Sequence, residues 1–398
     1  MKNITKIIIL FLSITAFVGC SSDSDSDSVA EVTLASVVLT TKVPALTNNN
    51  LAILSGGKLS SSFTGSENFY TGICYSNVPN PTVLNQQIGA GSSSNLDFSC
   101  SIENITLGGT YYIKAFVQNG DTGEIKYGNE VSIVIPVSLT TGIVKNISCS
   151  GFSVDVNIAN SLSGNDERGI CFSTSQNPTI ENEKIPDVTF GSGTFNITLT
   201  NPVVRYFVSP GTTYYLKSFV KINNRYYYGN QVSFKTAGYI GGSGGYVFFD
   251  KGEITNGWRY LEAATSELIY NNDVNWLFNW NNCNSTTFLP GLSNDIGTGA
   301  ENTTIIRNNC NFTRNAATMA RFTSLNGKSD WFLPSIEELK LLYTLKEESV
   351  ISYNSNVYPL ISSSQQSNST NWGVDFSNGN SVGMYKTSAG RVWQVRRF

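Results

Sequence analysis

The 398-residue chain contains no histidine. That removes every triad whose general base is imidazole, every His-ligated zinc and every haem held by His. Charge is sparse as well: 14% of residues are Asp, Glu, Lys or Arg, with 26 basic against 29 acidic and a net of −3. Nucleic-acid binders need a basic face, so none is expected as a partner. No CxxC occurs among the seven cysteines, which removes zinc ribbons and thioredoxin-type redox motifs. Long apolar runs are missing but for one, Ile7 to Val18, and at twelve residues it falls short of the roughly 20 that cross a bilayer.

What is present begins with that run. Lys2 and Lys6 precede it and Gly19-Cys20 close it, the layout of a secretory signal, 1–19. A small residue and a Cys directly behind the apolar region resemble the lipobox of bacterial lipoproteins. The resemblance implies lipid attachment at Cys20, a membrane partner through that lipid, and an outer-membrane, surface-exposed location. The alternating Ser21 to Ser28 stretch buries nothing and reads as a tether, 20–30.

The next 200 residues repeat. Gly72-Ile73-Cys74-Tyr75-Ser76 with Asn80-Pro81 returns as Gly169-Ile170-Cys171-Phe172-Ser173 with Asn177-Pro178. Thr110-Tyr111-Tyr112-Ile113-Lys114 returns as Thr213-Tyr214-Tyr215-Leu216-Lys217, and Tyr127-Gly128-Asn129 as Tyr228-Gly229-Asn230. Residues alternate apolar and polar through these runs, the period-two pattern of strands, and no helix is expected between 31 and 236. Two all-β sandwiches follow, at 31–136 and 137–237. They resemble fibronectin type III/Ig-like repeats of exported bacterial proteins. Ser209 to Tyr214 fits that family's tyrosine corner, so Tyr111 and Tyr214 are expected in the core.

At Gly238 the composition changes: five Gly in eight residues, then every Trp of the chain. Ser335-Ile336-Glu337-Glu338 is a capping box that opens a helix. A second helix is expected in the latter half of 302–325, with strands at Tyr246 to Phe249 and Val392 to Phe398. The ordered motifs Gly244 to Asp250, Gly257 to Ala264, Ile296 to Gly299, Asp330 to Ser335 and Val392 to Phe398 resemble the C-terminal domain family of a collagen-like bacterial adhesin and its FISUMP-type relatives. The resemblance implies an α+β, C-type-lectin-like domain over 238–398, and a disulfide between Cys283 and Cys310. The other cysteines, Cys74/Cys100 and Cys149/Cys171, are either paired or buried as free thiols. Where the family has Trp-Ser-Ser-Ser-Glu, this chain has Ile361-Ser362-Ser363-Ser364-Gln365.

No paired carboxylates stand in an acid/base motif, so no catalytic residue is assigned, and no metal or cofactor is called for. Amides, carboxylates and indoles are the chemistry of sugar binding: polar groups bond hydroxyls while an aromatic ring covers a pyranose face. Asn371, Trp372, Asp375 and Asn380 supply it in one stretch, and Trp276 and Trp280 in another. Sulfated ligands demand clustered basic residues, and only Arg391, Arg396 and Arg397 lie close in sequence. The expected function is a membrane-anchored surface protein that presents a C-terminal recognition domain to a glycan or a protein. The rival classes are an enzyme on the same fold acting on envelope or extracellular polysaccharide, and a docking subunit of an envelope complex.

Overall fold

A computed structural model describes residues 33–398 apart from 48–51, 64–67, 93–95, 150, 160–166, 190, 201–207, 271–276, 281–286, 311–313, 323 and 354–357. The signal, Cys20, the tether, Trp276 and Cys283 lie outside the described residues. The chain divides into two compact units, one holding residues up to Ile105 and 109–134, the other 106–108 and 135–398.

The first unit is built from two antiparallel sheets. Ala52–Leu59 carries Leu39–Thr41, Ala45–Leu46 and Asp97–Glu103 as partners. Thr110–Asn119 and Phe69–Ser76 form the centre of the other sheet, flanked by Gln86–Ser92, Ile125–Tyr127 and Val131–Val134. Alternation along Thr110–Asn119 sends Tyr111, Ile113, Ala115 and Val117 inward, all nearly or fully buried.

The second unit opens with the same architecture. Phe152–Ile158 pairs with Leu139–Lys145 and Gly193–Leu199; Thr213–Ile222 pairs with Glu167–Ser173, Arg225–Tyr228 and Val232–Lys235. Phe152, Phe172, Tyr214 and Phe234 interlock in its core. The Tyr214 hydroxyl accepts the Ser209 backbone N–H at 2.9 Å, closing the tyrosine corner. The two-residue turn Asn223-Asn224 has positive φ at both positions, the type I′ geometry that suits asparagine. Among the described residues no helix occurs before residue 299.

Beyond 238 the layering changes. Tyr246–Thr255 and Trp258–Ala263 form a hairpin, and the closing strand Val395–Arg397 returns to lie beside Trp258–Ala263. Among the described residues three helices follow: α1 (Gly299–Asn308), α2 (Ala316–Phe322) and α3 (Ile336–Glu347). A second sheet is made by Leu360–Gln365, Thr370–Asp375 and Asn380–Tyr385. Ser335 caps α3 as its motif predicts, with Glu338 reaching back to the Ser335 N–H. The helix expected in the latter half of 302–325 is α2, and α1 ahead of it was not expected. α1 (Gly-Ala-Glu-Asn-Thr-Thr-Ile-Ile-Arg-Asn) is poor in strong helix formers, so local propensity hides it and tertiary contacts hold it.

The second sandwich is seated on this part of the chain. Ile147 and Asp250 exchange both backbone hydrogen bonds, at 2.7 and 2.9 Å. Lys145 pairs with Glu253 at 2.9 Å. Cys149, fully buried, packs in the same core as Ala237, Phe248, Trp331 and Trp393.

Candidate functional site

The motifs that mark the C-terminal part converge on its interior. Glu338 is fully buried; one carboxylate oxygen accepts the N–H of Gly297 at 2.8 Å and of Gly299 at 3.3 Å, the other that of Ser335 at 2.8 Å. One side chain thus ties the Ile296 to Gly299 segment, the start of α1 and the start of α3 together. Gly297 has φ +93°, and any side chain there would overlap the Trp258 ring. Burial pushes the Glu338 carboxyl up to about 7, opposed by its three N–H donors and by Arg397.

A second buried network joins the remaining motifs. Arg396 clasps Asp330 with two hydrogen bonds of 2.9 Å and also reaches Ser243 and the fully buried Glu262. Glu262 accepts the Gly245 N–H at 2.6 Å. The hydrogen bonds from Arg396 hold the Asp330 carboxyl below its ordinary range. Trp331 and Trp393, both buried, spend their indole N–H groups on the carbonyls of Lys328 and Ala264. The sequence motifs are therefore architecture.

The structure redistributes the expected binding residues. Trp280 is fully buried with its N–H on the Ser362 carbonyl at 2.9 Å and the Lys386 ammonium 4.9 Å from the ring centre, so it has no free face for a sugar. Asn371 is 1% exposed and bonds the Trp372 carbonyl. Both are corrected from ligand contacts to interior residues. The stretch 371–380 is a hairpin with a turn at 376–379, rather than a binding loop. Trp372 is half-buried against the core. Asp375 folds its own turn, accepting from the Ser377 N–H and the Asn378 amide, bonds that lower its pKa. Asn380 is exposed at the end of that turn.

Beside Trp280 lies an interior cation. Lys386 is fully buried and donates to the Thr287 carbonyl at 2.7 Å and the Gln365 side-chain oxygen at 3.0 Å. Burial brings its pKa down to about 8. The Gln365 nitrogen, also buried, has no hydrogen-bond partner among the described residues.

The cysteines are settled where described. Cys74, Cys100, Cys149 and Cys171 are free and buried, so neither Cys74/Cys100 nor Cys149/Cys171 is a disulfide. Burial pushes Cys74 and Cys171 up to about 11 and Cys149 to about 12, leaving them unreactive thiols. Cys74 and Cys171 occupy matching places, each thiol donating to the carbonyl of the repeat's Lys, Lys114 or Lys217. Cys310 is disulfide-bonded.

Two hollows in the C-terminal part lie elsewhere. A hollow of about 510 Å³ has Phe332, Ala300 and Ile305 as its apolar floor and Arg321, Asp330 and Glu301 on its walls. A neighbour of about 380 Å³ is lined by Trp258, Lys251, Thr255 and Thr298. Both share Glu301 and Arg397, whose guanidinium holds the Glu301 carboxylate with two bonds and the Gly297 carbonyl with a third. Sequence reasoning missed this place because Glu301 and Arg397 stand 96 positions apart. The three clustered arginines are separated by the fold: Arg391 pairs with Glu267, Arg396 with Asp330 and Glu262, Arg397 with Glu301. Among the described residues no group of acidic or sulfur side chains is gathered to hold a metal ion. No helix among them is long and apolar enough to cross a membrane.

The sequence model of the Lcl C-terminal domain family matches residues 272–396, which bounds the family likeness to the last part of the chain. No curated protein matches the sequence. Among solved structures, the selenomethionine-substituted chicken interferon gamma receptor alpha chain overlays at 12% identity and a TM-score of 0.28, covering 50% of this chain and 98% of that one. At that score the overlay carries no argument, and the sandwich assignment rests on the sheets themselves.

Proposed function

We propose that the chain is a lipid-anchored surface protein whose C-terminal part recognises a glycan or a protein ligand without transforming it. The observation that carries this reading is the pair of adjoining hollows on either side of Arg397–Glu301, with Trp258 under one and Phe332 under the other. Polar groups around an apolar floor are how proteins hold polar ligands. The return of Val395–Arg397 to the Trp258–Ala263 strand, with α1 and α3 packed nearby, supports a C-type-lectin-like reading of this part. Cys283 is the partner we assign to Cys310. The Lys-flanked apolar run and Cys20 support the anchor, through which the outer membrane becomes a partner.

The test uses the full chain, displayed on cells or solubilised in detergent, against a glycan array and a panel of surface proteins. Arg397→Gln should weaken binding at least tenfold while thermal stability falls modestly, because it breaks a partly exposed ion pair and one bond to the Gly297 carbonyl. Binding unaffected by Arg397→Gln refutes the site. Stable co-purification with one envelope protein, and no ligand on either panel, moves the assignment to a docking subunit. Labelled acyl chains should enter the wild type and not Cys20→Ala, which should also leave the membrane fraction.

A further inference from the structure

The two sandwiches build the same loop and line it differently. In the first, residues 77–85 connect Phe69–Ser76 to Gln86–Ser92; in the second, 174–182 connect Glu167–Ser173 to Glu183–Pro186. Most pins match, the exception being the Asn80 N–H, held by the Glu130 carboxylate where Asn177 has the Gln231 amide. The Tyr127 hydroxyl accepts the Val83 N–H, and the Tyr228 hydroxyl that of Ile180. Lys114 donates to Asn80 and Lys217 to Asn177. Asn85 accepts the Thr82 N–H and Asn182 that of Thr179, both at 2.9 Å. Asn80 and Asn177 both take positive φ. The loop is fixed before any ligand arrives, so binding costs little ordering.

Against that shared frame the first sandwich holds a hollow of about 510 Å³ lined by Tyr75, Ser76, Asn77, Leu84, Asn85 and Gln86. Among the described residues none that lines it is charged. The Tyr75 hydroxyl and the Asn77 and Gln86 amides make no hydrogen bond among the described residues, and the Asn85 NH2 is likewise unspent. Tyr75 is half-buried with its ring tilted 6.3 Å from Tyr111, which braces it. At the matching places the second sandwich has Phe172, fully buried and without a hydroxyl, Thr174, and two carboxylates, Glu181 and Glu183.

We propose that this hollow of the first sandwich is a binding subsite for a neutral sugar of one to three residues, separate from the Arg397–Glu301 site. Uncharged donors and acceptors match hydroxyl groups, whereas an anionic or cationic ligand would meet no counter-charge in the lining. The little apolar surface, Leu84 and the Tyr75 ring, suits a pyranose face and is too small for a lipid chain.

The experiment titrates the full chain with maltotriose, cellotriose, xylotriose and triacetylchitotriose by calorimetry and saturation-transfer NMR. At least one should bind, and Tyr75→Phe and Gln86→Glu, each the residue the second sandwich carries, should weaken it about tenfold. Gln86 is exposed, so its variant keeps the fold even if that of Tyr75 does not. Arg397→Gln should leave this binding unchanged, which separates the subsite from the C-terminal reading. Absence of binding by all four probes overturns the proposal. So does binding that survives both sandwich variants or is lost with Arg397→Gln.

Discussion

Replacing Glu338 by alanine removes the acceptor of three backbone N–H groups inside the C-terminal part. Two of these bonds are firm, at 2.8 Å, and the third, at 3.3 Å, is weak. A buried donor left without a partner costs about 1–3 kcal/mol, so two give about 2–6 kcal/mol, part of which is offset because the carboxylate no longer needs to be buried. The net loss expected near neutral pH is about 2–4 kcal/mol. Its pH dependence follows from the raised pKa. With the folded carboxyl at about 7 against an ordinary 4.5, the folded chain holds the proton more tightly than the unfolded one. The group's contribution is therefore complete below about pH 4.5 and is lost as pH rises through 7, a span of about 3 kcal/mol. Urea denaturation of wild type and Glu338→Ala between pH 5 and 8 should show a difference that grows on acidification. A difference below about 1 kcal/mol at every pH would refute the anchoring role. A difference that grows toward alkaline pH would mean that the N–H donors outweigh burial and hold the group ionised.

Trp280→Ala should cost about 3–5 kcal/mol in chemical denaturation, since a filled core site is emptied and the Ser362 carbonyl loses its donor. Trp372→Ala, at a half-buried ring, should cost clearly less, and equal losses would contradict the assigned burial. Gln365→Glu should raise stability by about 1–2 kcal/mol, giving buried Lys386 a carboxylate and removing the unpartnered amide nitrogen. With the Lys386 pKa down at about 8 from 10.5, the wild type gains stability from this group as pH rises from 8 toward 10.5. Denaturation at pH 8 and 10 should show that gain shrink in Gln365→Glu, and a variant less stable than wild type at pH 8 would refute the pairing. A fragment starting at Gly238 strips Cys149 from the core and Ile147 from Asp250, so it should aggregate or be cleaved readily by protease, whereas 135–398 should resist. Equal resistance would show that the seat is dispensable.

Much of the fold was legible because local and repeated patterns carried it. Period-two alternation places Thr110–Asn119 and Thr213–Ile222 on strands, and the repeat doubles the signal. The capping box fixes the start of α3 to the residue, since both halves of the reciprocal bond lie within four positions. α1 was not legible, because Glu338 anchors its first turn from a helix almost forty residues away.

The candidate site was less legible still, and for a physical reason. An Asn- and Ser-rich stretch reads as solvent-facing, yet Trp280 lies within one and is fully buried, because its indole N–H finds a carbonyl on the Leu360–Gln365 strand. Residues of the quoted motifs, such as Asp330, Trp331 and Arg396, have charges and N–H groups already consumed by internal partners. Strong motifs here report on how the domain is held together. Recognition must use groups that remain at the surface, and these follow from which elements the fold brings side by side. Glu301 on α1 meets Arg397 on the closing strand only once that strand has returned to Trp258–Ala263. The hollows beside that ion pair are therefore a product of topology: Trp258, Thr298, Phe332 and Arg397 belong to motifs far apart in sequence, and only the fold brings them to one place.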